Sequence, residues 1–263
     1  MLKVEKLTKT FNPGTVDEKT AIRQLDLEVR AGEFVTVIGS NGAGKSTLLN
    51  LIAGTLSPDA GRIFIDNREV THWAEYRRAG LVSRVFQNPV MGTAASMSIE
   101  ENLAMAELRG NRRGLGWGVT RKARERYREV LQLLELGLED RLGERVGLLS
   151  GGQRQCLTLL MATLKLPKLL LLDEHTASLD PKTAEKVMDL TERLVRHNGL
   201  ASIMITHNMH QAIQYGDRMI MLHEGGVRSD LEGEEKARLT VEAVVRRFGE
   251  TLKDEALLSR GEV

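Results

Sequence analysis

The sequence predicts an α/β fold in which a mainly parallel sheet is covered on both faces by helices. Three observations lead to this prediction. The short apolar and β-branched run at 34–38 is typical of a buried strand. Residues 39–46 follow it directly and match the phosphate-binding pattern G-x-x-x-x-G-K-[ST]. Beyond this loop, short apolar runs alternate with stretches of helical periodicity as far as residue 222.

Length and composition are those of an ordinary soluble globular protein. The chain has 263 residues, of which 41% are hydrophobic and 28% charged, and its formal net charge is +1. This balance gives no indication of a nucleic-acid partner. The single cysteine, Cys156, excludes an internal disulfide framework and fits a reducing compartment. We expect neither a targeting segment nor a membrane span, because no apolar run approaches the roughly 18 residues that a span needs.

The residues before the phosphate-binding pattern are predicted to form two strands of an antiparallel sheet. Apolar and polar side chains alternate at 2–8 and at 20–29. The sequence Phe-Asn-Pro-Gly at 11–14 indicates a turn between them. Phe11 could stack on an adenine ring or pack at the edge of the sheet, and the residues alone leave both alternatives open.

The rest of the chain is predicted from periodicity and capping signals. Ser98 with Glu101 has the spacing of a capping box, Ser150 is placed to cap a long helix, and Asp180 followed by Pro181 is a typical helix start. The predicted elements are a helix at 45–53, strands at 62–66 and 80–86, helices at 98–108, 120–136 and 148–166, a strand at 168–172, a helix at 181–197, a strand at 201–205, a helix at 208–215, a strand at 218–222 and an amphipathic helix near 240–248.

A basic segment lies between two of the predicted helices. Residues 109–128 hold eight lysines or arginines against one acid, Glu125. A charge run of this kind is typical of a solvated helical face. Contact with anionic lipid head groups near a membrane is the alternative.

The phosphate-binding pattern has a physical cause. Its glycines permit a tight loop whose backbone N–H groups point at a polyphosphate, and the start of the following helix adds to the same anion cradle. Lys45 can reach the terminal phosphates, and the Ser46 hydroxyl can ligate Mg²⁺. The residues of this loop that we predict to bind a nucleotide are Gly39, Ser40, Asn41, Gly42, Ala43, Gly44, Lys45, Ser46 and Thr47.

Two acids follow the strand predicted at 168–172. In open α/β sheets, ligands bind at the carboxyl ends of the strands. Asp173 is therefore predicted to hold Mg²⁺, directly or through water. Glu174 is predicted to accept a proton from the water that attacks the terminal phosphate. A strand that merely ends in two solvated acids is the alternative.

The sequence Leu-Ser-Gly-Gly-Gln at 149–153 matches the signature motif of ATP-binding cassette (ABC) proteins, and most of the chain resembles one such cassette. The resemblance implies a P-loop NTPase (RecA-like) core with an N-terminal antiparallel β subdomain and a helical signature subdomain. It implies a single ABC ATPase domain at 1–225, in which the helical subdomain is inserted at about 88–154. Residues 226–263 would form a short C-terminal extension, too short for a regulatory domain.

Further site residues are assigned by this resemblance. Gln87 resembles the glutamine that touches Mg²⁺ and relays to the membrane subunit. His207 resembles the switch histidine that contacts the γ-phosphate and holds it in line with the attacking water. Phe11 matches the aromatic residue that stacks on adenine. Ser178 and Asp180 resemble the loop that crosses to the partner subunit.

The signature motif forms a second phosphate-binding helix start. Ser150 and the N–H groups of Gly151 and Gly152 can hold an anion, and Gln153 completes the motif. One chain already binds phosphates with the loop at 39–46, so a second anion site is useful if it serves the ATP of another molecule. Two copies packed head to tail would form a closed homodimer around two ATP molecules.

The sequence departs from the family pattern directly after Glu174. Many cassettes have proline there, whereas this chain has His175, which we expect to pack or to face the partner rather than to act in catalysis. The stretches at 12–19, 87–94 and 172–183 resemble the ATPase subunits of bacterial importers of tryptophan, tyrosine or related hydrophobic amino acids.

The resemblance thus implies an ATP-hydrolysing subunit that uses Mg²⁺ and lies peripherally on the cytoplasmic face of the membrane. It would power import through a separate permease, docked near 87–93, with an extracellular substrate-binding protein and no nucleic acid. An exporter or a lipid-extracting system is the closest alternative. A DNA-repair cassette is less favoured, because residues 45 and 150 are only 105 positions apart without sustained heptads. A kinase would leave the signature motif without a purpose.

Overall fold

The computed structural model describes residues 1–111 and 118–248. Residues 112–117 of the basic segment and 249–263 of the C-terminal extension lie outside the described residues. The strands are β1 (Leu2–Phe11), β2 (Lys19–Val29), β3 (Phe34–Ile38), β4 (Ala60–Ile65), β5 (Arg68–Glu69), β6 (Val82–Val85), β7 (Leu169–Asp173), β8 (Ala201–Ile205), β9 (Arg218–His223) and β10 (Gly226–Glu232). The helices are α1 (Lys45–Ala53), α2 (Glu75–Arg78), α3 (Ile99–Glu107), α4 (Arg121–Gln132), α5 (Gly151–Leu164), α6 (Pro181–His197), α7 (Met209–Gln214), α8 (Gly233–Ala237) and α9 (Val241–Phe248).

Four strands near the N-terminus form an antiparallel sheet in the order β2-β1-β4-β5. β1 pairs with β2 so that Leu2 lies opposite Val29 and Phe11 lies opposite Lys19. The alternation that predicted these strands is explained by burial. The apolar side chains of β1 and β2 are buried, except the half-buried Phe11, and the polar ones between them are mostly exposed. The predicted N-terminal antiparallel subdomain is therefore confirmed.

The second sheet has the order β10-β9-β3-β8-β7-β6. Its strands β9, β3, β8, β7 and β6 are parallel to one another, as predicted from the alternating strands and helices. The sequence missed β10, which pairs antiparallel with β9 and continues the sheet past residue 225. β10 is an edge strand in which only Leu231 is buried, so it has no apolar run that would predict a strand.

Both faces of the second sheet are covered. In β7, Leu169 and Leu171 pack with α1 and the antiparallel sheet. Leu170 and Leu172 point to the opposite face and pack with side chains of α3, α5 and α6. This burial on both faces explains why the strands of the parallel sheet are continuous apolar runs.

The predicted helix caps are present. Ser98 and Ser150 each form a capping box, with Glu101 and Gln153 respectively, and Asp180 caps α6. α4 ends at Gln132, four residues before its predicted end. The chain turns there through positive φ angles of 55° at Glu135 and 66° at Gly137.

The end of the described chain packs on the second sheet. Val244 of α9 is buried in a small cluster with residues of α7, β9 and β10, which confirms the predicted amphipathic helix. Within residues 1–111 and 118–248, no helix is long and apolar enough to cross a bilayer.

Candidate nucleotide-binding and catalytic site

The loop between β3 and α1 can be formed only with glycine at several positions. Gly42 and Gly44 have φ angles of 81° and 100°, which disfavour any side chain. A Cβ atom on Gly44 would lie 2.4 Å from the carbonyl oxygen of Ala21, and one on Gly39 would lie 2.4 Å from that of Leu222. The loop is therefore seated directly against the backbone of β2 and β9.

The polar side chains of this loop have two different environments. Lys45 is buried, and its ammonium group donates to the carbonyl oxygens of Gly39 at 2.6 Å and Ser40 at 3.1 Å. Ser46 is exposed at the start of α1. The loop thus holds the ammonium at its own backbone, within reach of an anion, and leaves the serine hydroxyl open to a ligand.

The other predicted residues meet at one edge of the parallel sheet. Asp173 ends β7 and Glu174 follows it, His207 comes two residues after β8, and Gln87 comes two residues after β6. Because β3, β8, β7 and β6 are adjacent in that order, all these positions lie at the carboxyl edge beside the phosphate-binding loop.

Glu174 and His207 are in direct contact. Nε2 of His207 lies 2.5 Å from Oε1 of Glu174, and both side chains are partly buried. Glu174 has an unusual positive φ of 46°, and its N–H donates to the carbonyl oxygen of Ile205 at 3.0 Å. A carboxylate oriented by an imidazole is an arrangement that can accept a proton from water.

A set of hydrogen bonds that the sequence analysis did not predict links the segments that carry Glu174 and His207. The hydroxyls of Thr176 and Thr206 both donate to Oε1 of Gln211, at 3.2 and 3.1 Å. Gln211 lies in the first turn of α7, where its N–H donates to the capping side chain of Asn208. The loop after Glu174 is therefore tied to the loop that carries His207. The Asn-x-x-Gln spacing is a capping signal that could have pointed to Gln211.

His175 packs inside the protein, which agrees with one of its two expected roles. It is 1% exposed, and its Nε2 lies 3.0 Å from Oγ1 of Thr191 in α6. The Thr191 hydroxyl donates its own proton to the carbonyl oxygen of Val187 at 2.7 Å, so Nε2 must be the donor to Thr191. Burial lowers the pKa of His175 to about 4. The neutral imidazole thus anchors the loop after β7 to α6.

Asp173 has a partner that the sequence analysis did not single out. The Arg84 guanidinium in β6 donates to Oδ2 of Asp173 at 2.5 Å and to Oδ1 of Asn50 in α1 at 2.6 Å. The sequence signal was a cation inside a mostly apolar predicted strand.

The donors predicted for Mg²⁺ are a hydroxyl of Ser46, an amide of Gln87 and a carboxylate of Asp173, and all three supply oxygen, which Mg²⁺ prefers. In the part of the chain that the structure describes, no group of three or more His, Cys, Asp or Glu could hold a metal by itself. This donor set fits an ion that completes its coordination with nucleotide phosphates and water.

The signature motif lies beside the segment predicted to reach the partner. Ser150 accepts from the N–H of Gln153 at 3.2 Å and donates its own N–H to Oε1 of Gln153 at 3.1 Å. A Cβ atom on Gly152 would lie 2.4 Å from Cγ2 of Thr183, and one on Gly151 would lie 3.8 Å from Leu179. The signature helix therefore starts against the first turn of α6.

The 178–180 segment also contacts the end of β6. Oγ of Ser178 donates to the carbonyl oxygen of Gln87 at 3.3 Å. Asp180 is exposed, and it caps α6 by accepting from the N–H of Thr183 at 3.1 Å. The signature motif, this segment and Gln87 consequently form one continuous surface.

Phe11 lies at the end of β1 and is half-buried. Nζ of Lys9 is 5.8 Å from the centre of its ring. Lys19, its neighbour on β2, has its Nζ 3.1 Å from where a Cβ atom of Gly42 would be. The aromatic residue is thus on the strand pair that borders the phosphate-binding loop.

Comparison with known proteins establishes the family. The model of the ABC transporter family matches residues 22–177, which is more than half of the chain. The chain belongs to the ABC transporter family. A tyrosine transport ATP-binding protein of Clostridioides difficile (strain R20291) is 45% identical, over 94% of this chain and 98% of the relative. A phosphonates import ATP-binding protein of Rhodopseudomonas palustris (strain BisB18) is 35% identical, over 95% of this chain and 90% of the relative.

Solved ABC proteins confirm the predicted fold class. A dimeric ATP-binding cassette in a post-hydrolysis state with ADP and Pi matches with a TM-score of 0.75 at 30% identity, covering 88% of this chain and 98% of that chain. The ADP conformation of another cassette matches with a TM-score of 0.77 at 25% identity, covering 95% of this chain and 98% of that chain. This protein is an ABC ATPase, the ATP-binding subunit of a transporter, and it hydrolyses ATP.

Proposed function

We propose that this ABC ATPase dimerises around two ATP molecules and powers the import of a hydrophobic or aromatic amino acid through a separate permease. The contact between Glu174 and His207 beside the phosphate-binding loop carries the catalytic part of the proposal. The 45% identity to a tyrosine transport ATP-binding protein over nearly the whole chain supports the transported class.

In this proposal, Glu174 accepts the proton of the attacking water while His207 orients the carboxylate and contacts the γ-phosphate. Ser46, Gln87 and Asp173 hold Mg²⁺, which when bound neutralises charge on the transferring phosphoryl group. The backbone at 39–46 and the Lys45 ammonium bind the phosphates, and Phe11 stacks on the adenine.

The position of the signature motif supports the proposed homodimer. Ser150, Gly151 and Gly152 lie at the exposed start of α5, next to the 178–180 segment. Each phosphate-binding loop would face the signature of the other copy, so that the dimer has two-fold symmetry and each ATP is bound by both subunits. The dimeric structure of the solved cassette bound to ADP and Pi supports this arrangement.

The permease is proposed to dock on a groove close to Gln87. The groove has a volume of about 470 Å³ and lies between the turn at Pro89–Gly92, α3 and α5. Met91, which lines the groove, and the preceding residue Val90 are large exposed apolar side chains. Exposed apolar side chains around a groove are typical of a surface that binds an amphipathic helix. Docking here would place the subunit at the cytoplasmic face of the membrane, with a substrate-binding protein on the outside.

The organisation that accompanies this proposal is one ATPase domain at 1–225. Its helical subdomain, inserted at about 88–154, contains α3 and α4 and ends where α5 begins. Residues 226–263 are the C-terminal extension, whose first strand, β10, forms an edge of the domain's second sheet. The subdomain therefore carries the signature motif on its last residues.

The proposal is tested first by Glu174→Gln. Turnover of ATP should fall about a hundredfold or more, because the amide cannot accept the proton. Light scattering should show a dimer that persists in MgATP. Glu185→Gln makes the same exchange on an exposed side chain of α6 and should turn over at the native rate. Native turnover in Glu174→Gln would show that another residue is the base.

The transport assignment is tested with the same variant. Tagged Glu174→Gln protein, captured from detergent-solubilised membranes in MgATP, should bring down a multi-span permease identified by mass spectrometry. The substrate-binding protein of that permease should then bind tyrosine, tryptophan or phenylalanine in calorimetry. Capture of ribosomal or DNA-bound partners alone would refute the transport assignment and leave the ATPase chemistry intact.

A further inference from the structure

One guanidinium connects the two halves of the nucleotide site. Nη2 of Arg84 donates to Oδ2 of Asp173 at 2.5 Å, and Nη1 donates to Oδ1 of Asn50 at 2.6 Å. The guanidinium carbon lies 4.8 Å from the centre of the Phe86 ring. The side chains of Arg84 and Asp173 are only 14% and 15% exposed. A charge pair so far removed from water keeps its geometry, because separating the charges would leave each of them poorly solvated.

The anchors of this guanidinium are rigid. Arg84 lies in β6 directly opposite Leu171 of β7, two residues before Asp173. Asn50 belongs to α1, the helix that begins at the phosphate-binding loop, and its own carbonyl oxygen accepts the N–H groups that end that helix. A planar guanidinium can hold two acceptors at fixed angles, which an ammonium group cannot do.

We infer that Arg84 is a positioning residue for the carboxylate that binds Mg²⁺. It holds Oδ2 of Asp173 and thereby directs Oδ1 toward the ion of MgATP. The inference rests on the proposed function, in which Asp173 is the Mg²⁺ carboxylate. Partners that orient a metal-binding carboxylate in this way are commonly worth about ten- to hundredfold in metal affinity or activity.

The charge of Arg84 alone predicts the opposite effect on Mg²⁺ binding. The contributions of charge and of orientation can therefore be separated. A guanidinium next to Asp173 repels Mg²⁺, and its removal would tighten the binding of the ion if orientation did not matter. If orientation dominates, removal weakens the binding of the ion although a repelling charge has gone. The direction of the change therefore decides whether Arg84 positions the carboxylate.

The chain contains a matched control. Arg62 in β4 also pairs with a carboxylate, at 2.8 Å from Glu5, and its guanidinium carbon lies 5.5 Å from the centre of the Phe64 ring. Its side chain is 61% exposed and belongs to the antiparallel sheet, away from Asp173. Arg62→Met removes the same group from the same kind of contact without touching the nucleotide site.

The experiment measures ATPase rate against free Mg²⁺ at saturating ATP, together with calorimetric binding of ATP in EDTA and of MgATP. In Arg84→Met, the Mg²⁺ concentration for half-maximal rate should rise about ten- to hundredfold. The affinity for ATP in EDTA should stay close to that of the wild type. Arg84→Lys should lie between the wild type and Arg84→Met, since an ammonium group can still donate to Asp173 but cannot hold Asp173 and Asn50 at fixed angles. Arg62→Met should match the wild type.

Asn50→Ala provides a second variant. It keeps the charges of Arg84 and Asp173 and removes only one of the two acceptors of the guanidinium. It should shift the Mg²⁺ dependence in the same direction by a smaller factor. An unchanged or lower Mg²⁺ requirement in Arg84→Met and Asn50→Ala would overturn the inference. Equal losses of ATP binding with and without Mg²⁺ would also overturn it, because a merely structural role has that effect.

Asp173→Asn separates this inference from the proposed function. If Asp173→Asn keeps the Mg²⁺ dependence of the wild type, Asp173 is not the Mg²⁺ carboxylate and the proposed function is wrong at that point. If Asp173→Asn loses the Mg²⁺ dependence of the ATPase rate while Arg84→Met keeps that of the wild type, the proposed function stands and the inference about Arg84 fails.

Discussion

The buried histidine in the loop after β7 should make this protein sensitive to acid. His175 is 1% exposed and donates from Nε2 to the Thr191 hydroxyl, and burial lowers its pKa to about 4 from a usual 6.5. The substitution His175→Gln places an amide near the same position. The amide N–H can donate to Thr191, and the side chain does not titrate in this pH range.

The size of the expected stability change follows from the pKa values of His175 in the unfolded and folded states. The unfolded chain binds a proton at His175 near pH 6.5, whereas the folded protein binds it only near pH 4. Between these values the unfolded state holds more protons, so the free energy of unfolding decreases as pH is lowered. The full pKa difference corresponds to a loss of about 3 kcal/mol in the free energy of unfolding. This loss is reached near pH 4 and is absent above pH 6.5.

The assay is urea denaturation of wild type and His175→Gln from pH 8 to pH 4.5. At pH 8 we expect the variant to be equal to the wild type or up to about 1.5 kcal/mol less stable, from altered packing and hydrogen bonding. At pH 4.5 the wild type should have lost about 2 to 3 kcal/mol that the variant retains. His72→Gln, the same exchange on an exposed side chain, serves as the control. Parallel stability curves for wild type and His175→Gln would refute the reasoning.

Two further predictions concern buried cations that hold helix ends. Arg78 is buried and donates to four backbone carbonyl oxygens, two of them in the last turn of α1. Arg78→Met should lower the free energy of unfolding by about 3 to 5 kcal/mol in urea titrations, whereas Arg77→Met on the exposed neighbour should change it by less than about 0.5 kcal/mol. The Lys236 ammonium donates to three carbonyl oxygens at and after the end of α7, and Lys236→Met should cost about 2 to 3 kcal/mol. Equal denaturation midpoints for Lys236→Met and the exposed Lys186→Met would contradict this.

The parts of the fold that could be predicted are those with a local cause. The strands of the parallel sheet are buried on both faces, so their apolar runs are visible without any partner. The helix starts at Ser98, Ser150 and Asp180 depend on side chains within three residues of the cap. Such signals survive in the sequence because the interacting groups are neighbours along the chain.

The parts that could not be predicted depend on an environment that distant residues create. β10 is an edge strand that pairs only with β9, and of its side chains only Leu231 is buried. The end of α4 is set by the turn at Glu135 and Gly137, where apolar residues continue past the last helical residue. Tyr127 is fully buried among α3, α4 and α5, although its neighbours in the sequence are charged.

The sequence by itself determined that this chain binds phosphates and belongs among ABC ATPases, because the glycines of the loop and the signature motif act over a few consecutive residues. Only the tertiary structure decided what holds the predicted site residues. Arg84 and Asp173 are 89 residues apart in the chain, and His175 and Thr191 are 16 apart. The pKa of His175 is lowered by burial, and Asp173 is held by Arg84, and both effects arise only when the sheet and its helices are packed together.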